Sequence, residues 1–549
     1  MPLPRCRTAL TIAALLLAAA PTASAQTPLT PPGNTGLAGD VRELTDHRLL
    51  MRLSEAETGV DLNGDGDQDD QVPHLEIRGA GTDMTVPVAG SWSGLAFDAR
   101  WLLASGQEFS HGSDLNGDGD QVDQVLSSLD SRTGALVNTG LSGFPTMDGP
   151  RALIGVLESA TGQDLNGDND SDDTILHVRD LETGTTTNLG LAQYPFMFPQ
   201  LHDRSVLVVI DELATGIDLD SDGVPNELLV HRYDWDTGTV TRMSDFSIAI
   251  APWLVVNDTL VMGLTESEIG FDINMDGNTM GTVLALMDPV TGTIRLTDVV
   301  FLLGAATFGG DGSVYAAFRL AGANPQIIAH RVDLATGLSQ ALLNLPLGTS
   351  PPDFRTPIAD DTHAVMRVAE TTTDLNGDGD TDDMVLHTLE LATGTARNHG
   401  FAVQIDSLDI RDGIATALVS EQAQGAADRN GDGDLLDGTP IAIDVATGRR
   451  LEFRSAASKP SPSATLVAFS VLEAENGGRD ANGDGDADDE VVHVYDMRRR
   501  QLFPLGVKDG FVLVTNRSLA FRVPETGSGL GDLNNDGDAA DGVVHIVRF

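Results

Sequence analysis

Cysteine is almost absent from this chain of 549 residues: there is one, Cys6. It lies in an N-terminal segment that reads as a secretory signal. Arg5 and Arg7 precede the apolar residues 9–20, and Ala23, Ser24 and Ala25 form a small-residue cleavage site before Gln26. Residues 1–25 are expected to be removed, leaving residues 26–549 exported to the periplasm, the medium or the cell surface of a bacterium. Such a chain has no disulfide, thiolate metal site or cysteine nucleophile. No other apolar run reaches the roughly 18 residues of a membrane span, so membrane insertion is not expected. Basic residues are also scarce, 33 against 82 acidic ones, for a net charge of −49. That charge repels nucleic acid and anionic lipid. Aromatics are only 5%, so Trp92, Trp101, Trp235 and Trp253 are expected in the core rather than on a sugar-binding surface. Catalytic motifs are missing as well: there is no HExxH, no glycine-rich phosphate loop and no G-x-S-x-G elbow, and Trp92 stands at the serine position of GSWSG.

What the chain has is a repeat. An acidic decapeptide starts at Asp61, Asp114, Asp164, Asp218, Asp272, Asp374, Asp428, Asp480 and Asp532, at intervals of 50 to 54 residues with one of 102. The double interval contains a repeat, from Ser313, in which AGANP replaces the decapeptide, which gives ten repeats of about 52 residues. Each shows an apolar run such as SVLVVIDE from Ser205, the acidic loop, a second β-rich run such as VVHVYD from Val491, a Thr-Gly turn as at Thr183 and Gly184, and two further runs. Four short strands with turn punctuation and no helical period predict a β-propeller blade. The expectation is therefore an all-β fold of about ten four-stranded blades, with the acidic loop between the first and second strands, leaving one face near the mouth of a central channel. The segment from Asn34 matches the third and fourth strands of a repeat and the chain ends after a second strand, so the two termini are expected to complete one blade. Two five-bladed rings split near residues 343–357 are the alternative to a single ring.

The stretches LHVRDLETGTTTNLGL from Leu176 and VHRYDWDTGTVTRM from Val230 resemble the blades of TolB-like propellers, and this resemblance covers the mature chain. The acidic decapeptide is similar to the DxDxDG calcium loops of thrombospondin type 3 repeats, integrin α-chain propellers and EF-hand proteins.

The loop chemistry supports calcium on its own terms. Calcium takes six to eight oxygens, and alternate residues at loop positions one, three and five can wrap three of them around one ion, with a tight turn at position six. Position nine varies among Asp69, Val122, Leu436 and Ala540, whereas position ten is acidic in eight repeats. The candidate ligands are thus Asp61, Asn63, Asp65 and Asp70; Asp114, Asn116, Asp118 and Asp123; Asp164, Asn166, Asp168 and Asp173; and Asp218, Asp220, Asp222 and Glu227. They continue with Asp374, Asn376, Asp378 and Asp383; Asp428, Asn430, Asp432 and Asp437; Asp480, Asn482, Asp484 and Asp489; and Asp532, Asn534, Asp536 and Asp541. The loop at Asp272 has Gly281 at position ten and is expected to be weak or empty. The nine decapeptides hold 38 of the 82 acids, a clustering that general surface acidity does not produce. Magnesium fits less well, because it keeps water and a strict octahedron. His74, His177, His231, His330, His387, His493 and His545 recur in the second run, and His330 belongs to the repeat without the loop, so packing rather than metal binding is expected of them. The resulting expectation is an exported calcium-stabilised propeller that binds a protein or polymer. The rivals are a propeller enzyme, a polysaccharide lyase or hydrolase with its site in the channel, and a passive surface or matrix component.

Overall fold

The computed structural model describes residues 34–549 except 46–47, 78–81, 89–95, 98–99, 246, 273–278, 280, 301–305, 310–312, 320–325, 347–357, 371–372, 508 and 527. The signal segment, Trp92 and residues 347–357 of the suggested split at 343–357 lie outside the described residues. The described strands form eight antiparallel sheets, six of four strands and two of seven. Each seven-stranded sheet is a pair of four-stranded units sharing one long strand. In Ala135–Asp148, residues 135–142 pair with Gln124–Asp130 and residues 143–148 with Arg151–Leu157. In Asn34–Leu44, Asn34 and Ala38 lie opposite His545 and Val543, and Gly39 to Leu44 opposite Arg48–Ser54. The first described strand therefore completes the last unit, whose other strands are Asp509–Val514, Ser518–Pro524 and Gly542–Arg548.

The second strand of each unit is the apolar run that stands out in sequence. Ser205–Asp211 is buried at every residue but its last, because neighbouring units cover both of its faces. Strands buried on both faces read as continuous rather than alternating hydrophobic runs. The core lies between units: Leu153, Leu176, Val206, Val208 and Ile210 join the third to the fourth, and Leu49, Met51, Leu53 and Val544 join the first to the tenth. Each such side chain contributes about 1.5–3 kcal/mol by leaving water.

One expectation is corrected. The acidic loops connect the second and third strands of their four-stranded units, not the first and second: residues 218–227 run from Ser205–Asp211 to Leu228–Asp234, and Gln200–His202 precedes both in the sheet. A cyclic repeat has no intrinsic start, and in several units the true first strand is short, two residues in Ser461–Pro462 and three in Asp409–Arg411, too short to carry a period. First strands of successive units lie against one another, as do Asp409–Arg411, Ser461–Pro462 and Asp509–Val514. The loops consequently leave from the middle of each unit and not from the line of first strands.

Candidate metal sites

Each acidic loop but the fifth, which lies largely outside the described residues, is tied by its own side chains. Asp61 accepts from Gly64 N at 2.5 Å and from Gly66 N at 3.0 Å, Asn63 Oδ1 accepts from Asp65 N, Asp65 from Asp67 N, and Asp67 from Asp69 N. The glycine at position six has φ +108° in the first repeat, and Asn169 takes φ +83° at that position in the third. Only a residue tolerant of the left-handed region closes this turn.

Sequence reasoning missed the residue on which the loop is wound. Glu55 follows the second strand, Arg48–Ser54, is fully buried, and opens the short turn Glu55–Thr58. Its Oε1 accepts from Leu62 N at 2.6 Å and Asn63 N at 3.0 Å, and its Oε2 from Asp70 N at 3.3 Å. Glu108, Glu158, Glu212, Glu266, Glu370, Glu421, Glu473 and Glu525 occupy the same place, none more than 5% exposed. All nine repeats with an acidic loop have this glutamate, and the sixth, which lacks the loop, has Leu320 there. That shared absence was the available signal; a single acid after a strand looks like any solvated residue.

The buried glutamate and the loop converge. Among the described residues, carboxylate oxygens lie within 4.8 Å of one another in the sets Glu55–Asp67–Asp70, Glu108–Asp118–Asp120–Asp123, Glu158–Asp170–Asp173, Glu212–Asp220–Glu227 and Asp218–Asp220–Asp222. Such groups could hold a metal ion. Position ten joins its cluster in four of these five sets; positions one, three and five converge as a carboxylate triad in the fourth repeat; and position seven, expected to offer only its carbonyl, brings its side chain in. In the fifth loop, residues 273–278 lie outside the described residues, so Asn274 and Asp276 are not placed, and Gly281 N donates to Glu266 Oε2.

Crowding shows in the electrostatics. Burial, and then neighbouring carboxylates, push the position-ten acids up: Asp70, Asp123 and Asp437 to about 6, and Asp173, Glu227, Asp383, Asp489 and Asp541 to about 7. Among the described residues four buried carboxylate oxygens have no hydrogen-bond partner: Oε2 of Glu212, Glu227, Glu370 and Glu421. A buried carboxylate oxygen without a donor is costly unless a cation faces it.

The recurring histidines with described side chains pack; the side chain of His330 lies outside the described ones. His177, His231, His387 and His493 place Nδ1 at 3.0 to 3.2 Å from the carbonyl two residues earlier, and burial lowers the pKa of each. Trp101 and Trp235 are buried, and Trp253 is half-buried with Nε1 donating to Phe198 O.

No protein-family model matches the sequence, and a comparison with curated proteins finds no match. Among solved structures the chain is similar to the tricorn protease, at 11% identity and a TM-score of 0.29 over 88% of this chain and 46% of that one. It is similar to TolB from Acinetobacter baumannii at 12% identity and a TM-score of 0.24, over 66% of this chain and 78% of that one. It is similar too to the β-propeller domain of the Trilobed protease from Pyrococcus furiosus, at 8% identity and a TM-score of 0.28, over 59% of this chain and 89% of that one. The chain thus spans less than half the length of the tricorn protease. Likeness at these scores carries no argument about activity, and the propeller-like architecture rests on the chain's own strand order. Among the described residues no helix is long and apolar enough to cross a membrane.

Proposed function

We propose that the chain is an exported calcium-binding β-propeller, a single ring of ten blades, in which eight bound ions replace disulfides as the stabilising links and the loop-bearing side binds a protein or polymer. The observation that carries calcium is the set of partnerless buried oxygens inside oxygen-only clusters: Glu212 and Glu227 lie within ligand distance of Asp220, and every donor atom offered is hard. Ring closure is supported by the pairing of Asn34–Leu44 with Gly542–Arg548 and by Ala306–Gly309 lying against Ile358–Ala359. The binding role is supported by exposed apolar side chains on the turns and loops themselves, among them Phe109, Val122, Leu213, Phe271 and Leu436. Solitary exposed apolar residues are ordinary, but repetition along one edge marks a contact surface.

Extracellular calcium sites typically bind at about 0.1–1 mM. A site at a hundredfold excess of ion over its Kd adds about 2.7 kcal/mol of stability. Thermal unfolding of the mature chain in millimolar calcium and in excess chelator tests the reading. A midpoint lowered by ten degrees or more (about the scale set by several such sites) is the expected result, and an unchanged midpoint overturns it.

A further inference from the structure

Taken as calcium sites, as proposed above, the loops do not end within their own repeats. Asn116 Nδ2 donates to Ala160 O at 2.6 Å, Asn166 to Ala214 O at 2.7 Å, Asn376 to Ala423 O at 3.1 Å, Asn430 to Glu475 O at 2.8 Å and Asn534 to Glu57 O at 2.9 Å. Each acceptor is the carbonyl two residues past the buried glutamate of the next repeat, in the turn between that glutamate and its loop. The same nitrogen also donates to position ten of its own loop, at 2.9 Å for both Asn116 to Asp123 and Asn534 to Asp541. A carboxylate of one repeat and a carbonyl of the next therefore face a single point. Carbon packing is equally close: a Cβ at Gly216 would stand 2.8 Å from Asp168 Cβ, and one at Gly425 3.0 Å from Asp378 Cβ. Both glycines have positive φ and sit four residues past a buried glutamate.

The fourth repeat varies this arrangement. Asp220 replaces the asparagine, so no amide N–H is offered, and there the buried Oε2 of the closing acid Glu227 is without a partner. Something positive has to stand where the other repeats place an amide nitrogen.

The sequence carries a second, separate mark of the same geometry. Eight repeats have a glycine four residues past the buried glutamate; the seventh does not, because Asp374 already stands four residues past Glu370. The sixth has lost loop and glutamate together, and the fifth has Gly281 in place of its closing acid. These three defects are consecutive. If a site consists of loop n and turn n+1, the loopless sixth repeat makes the seventh turn useless, and the missing sixth turn makes the fifth loop useless. Sites complete within one repeat account only for the sixth.

We propose that each calcium ion is shared between adjacent blades, the backbone carbonyl two residues past the next blade's buried glutamate belonging to its oxygen shell. The ions then staple the blade junctions in series, including the seam where the tenth loop meets the first turn, and leave unstapled only the two junctions flanking the sixth blade.

Hydrogen exchange of the full mature chain, with calcium as the only added ligand, tests this. Calcium at about 100 times Kd suppresses opening of a stapled turn by roughly 100-fold. The variant D123N disables the second loop and D173N the third, while the readout is the third turn beyond its buried glutamate, residues 159–162. Under the proposal, calcium-dependent protection of that turn falls in D123N and survives in D173N. Protection that survives in D123N overturns the proposal and leaves calcium binding standing, whereas a wild-type chain without calcium-dependent protection in any loop overturns both. Should D123N fail to fold, D437N read at residues 474–477 poses the same question two junctions away from the seam.

Discussion

A carboxylate out of reach of water needs donors or a cation for both of its oxygens. Glu421 has two backbone N–H groups on Oε1, from Arg429 and Asn430, and nothing on Oε2. Removing such a residue strands donors that wind the loop, each costing about 1–3 kcal/mol when left unsatisfied. Glu421→Ala is expected to lower the midpoint in chelator and in calcium alike, with one ion fewer bound, as calorimetry and metal analysis would read; Glu475→Ala, which removes an exposed side chain but keeps its carbonyl, should leave both near wild type. The position-ten acids set the pH response. Their folded pKa of about 6 to 7 lies above the value of about 4 for an unfolded carboxyl, so the folded chain binds more protons between these limits. Without calcium, stability from these groups is therefore lost as pH rises through 4 to 7 and regained on acidification. With calcium the proton competes with the ion, so binding weakens as pH falls. The gap between calcium and chelator midpoints should narrow from about pH 8 to about pH 5, and a gap that widens contradicts the assignment of these acids.

At the scale of the element, strand and loop have separable origins. Middle strands form because adjacent blades cover both faces, and the loop forms because a buried glutamate and a chain of side-chain caps wind it. Replacing residues 114–123 with the Ala-Gly-Ala-Asn-Pro of residues 321–325 should therefore leave the strand spectrum intact while removing one ion and lowering the midpoint by a few degrees. Loss of the strand signal would show that the loop sets the register of Trp101–Gln107 against Gln124–Asp130. The same separation decides what the sequence disclosed. The decapeptide and the Thr-Gly turns were legible because their chemistry is local: Gly184 has φ +74° and Asp180 caps the N–H groups of Glu182 and Thr183. The phase of the sheet was not, since Ser461–Pro462 has no residues to spare for a pattern. Nor was the role of Glu55 and its equivalents, which depends on burial that no single strand end announces.

Across the whole molecule, a chain whose one cysteine is Cys6 joins its last described unit to its first through one strand, Asn34–Leu44. Apolar contacts such as Leu53 and Val544 hold that junction, and Asn534 crosses it to Glu57. Acidic loops gathered on one side would drive the units apart, because carboxylates so close together repel unless counterions sit among them. The account stands or falls on those counterions. The direct measurement is the calcium content of the mature chain after equilibrium dialysis at millimolar calcium. The account predicts about eight ions per chain, one for each loop with an acidic tenth position; a chain that retains none while staying folded would contradict it.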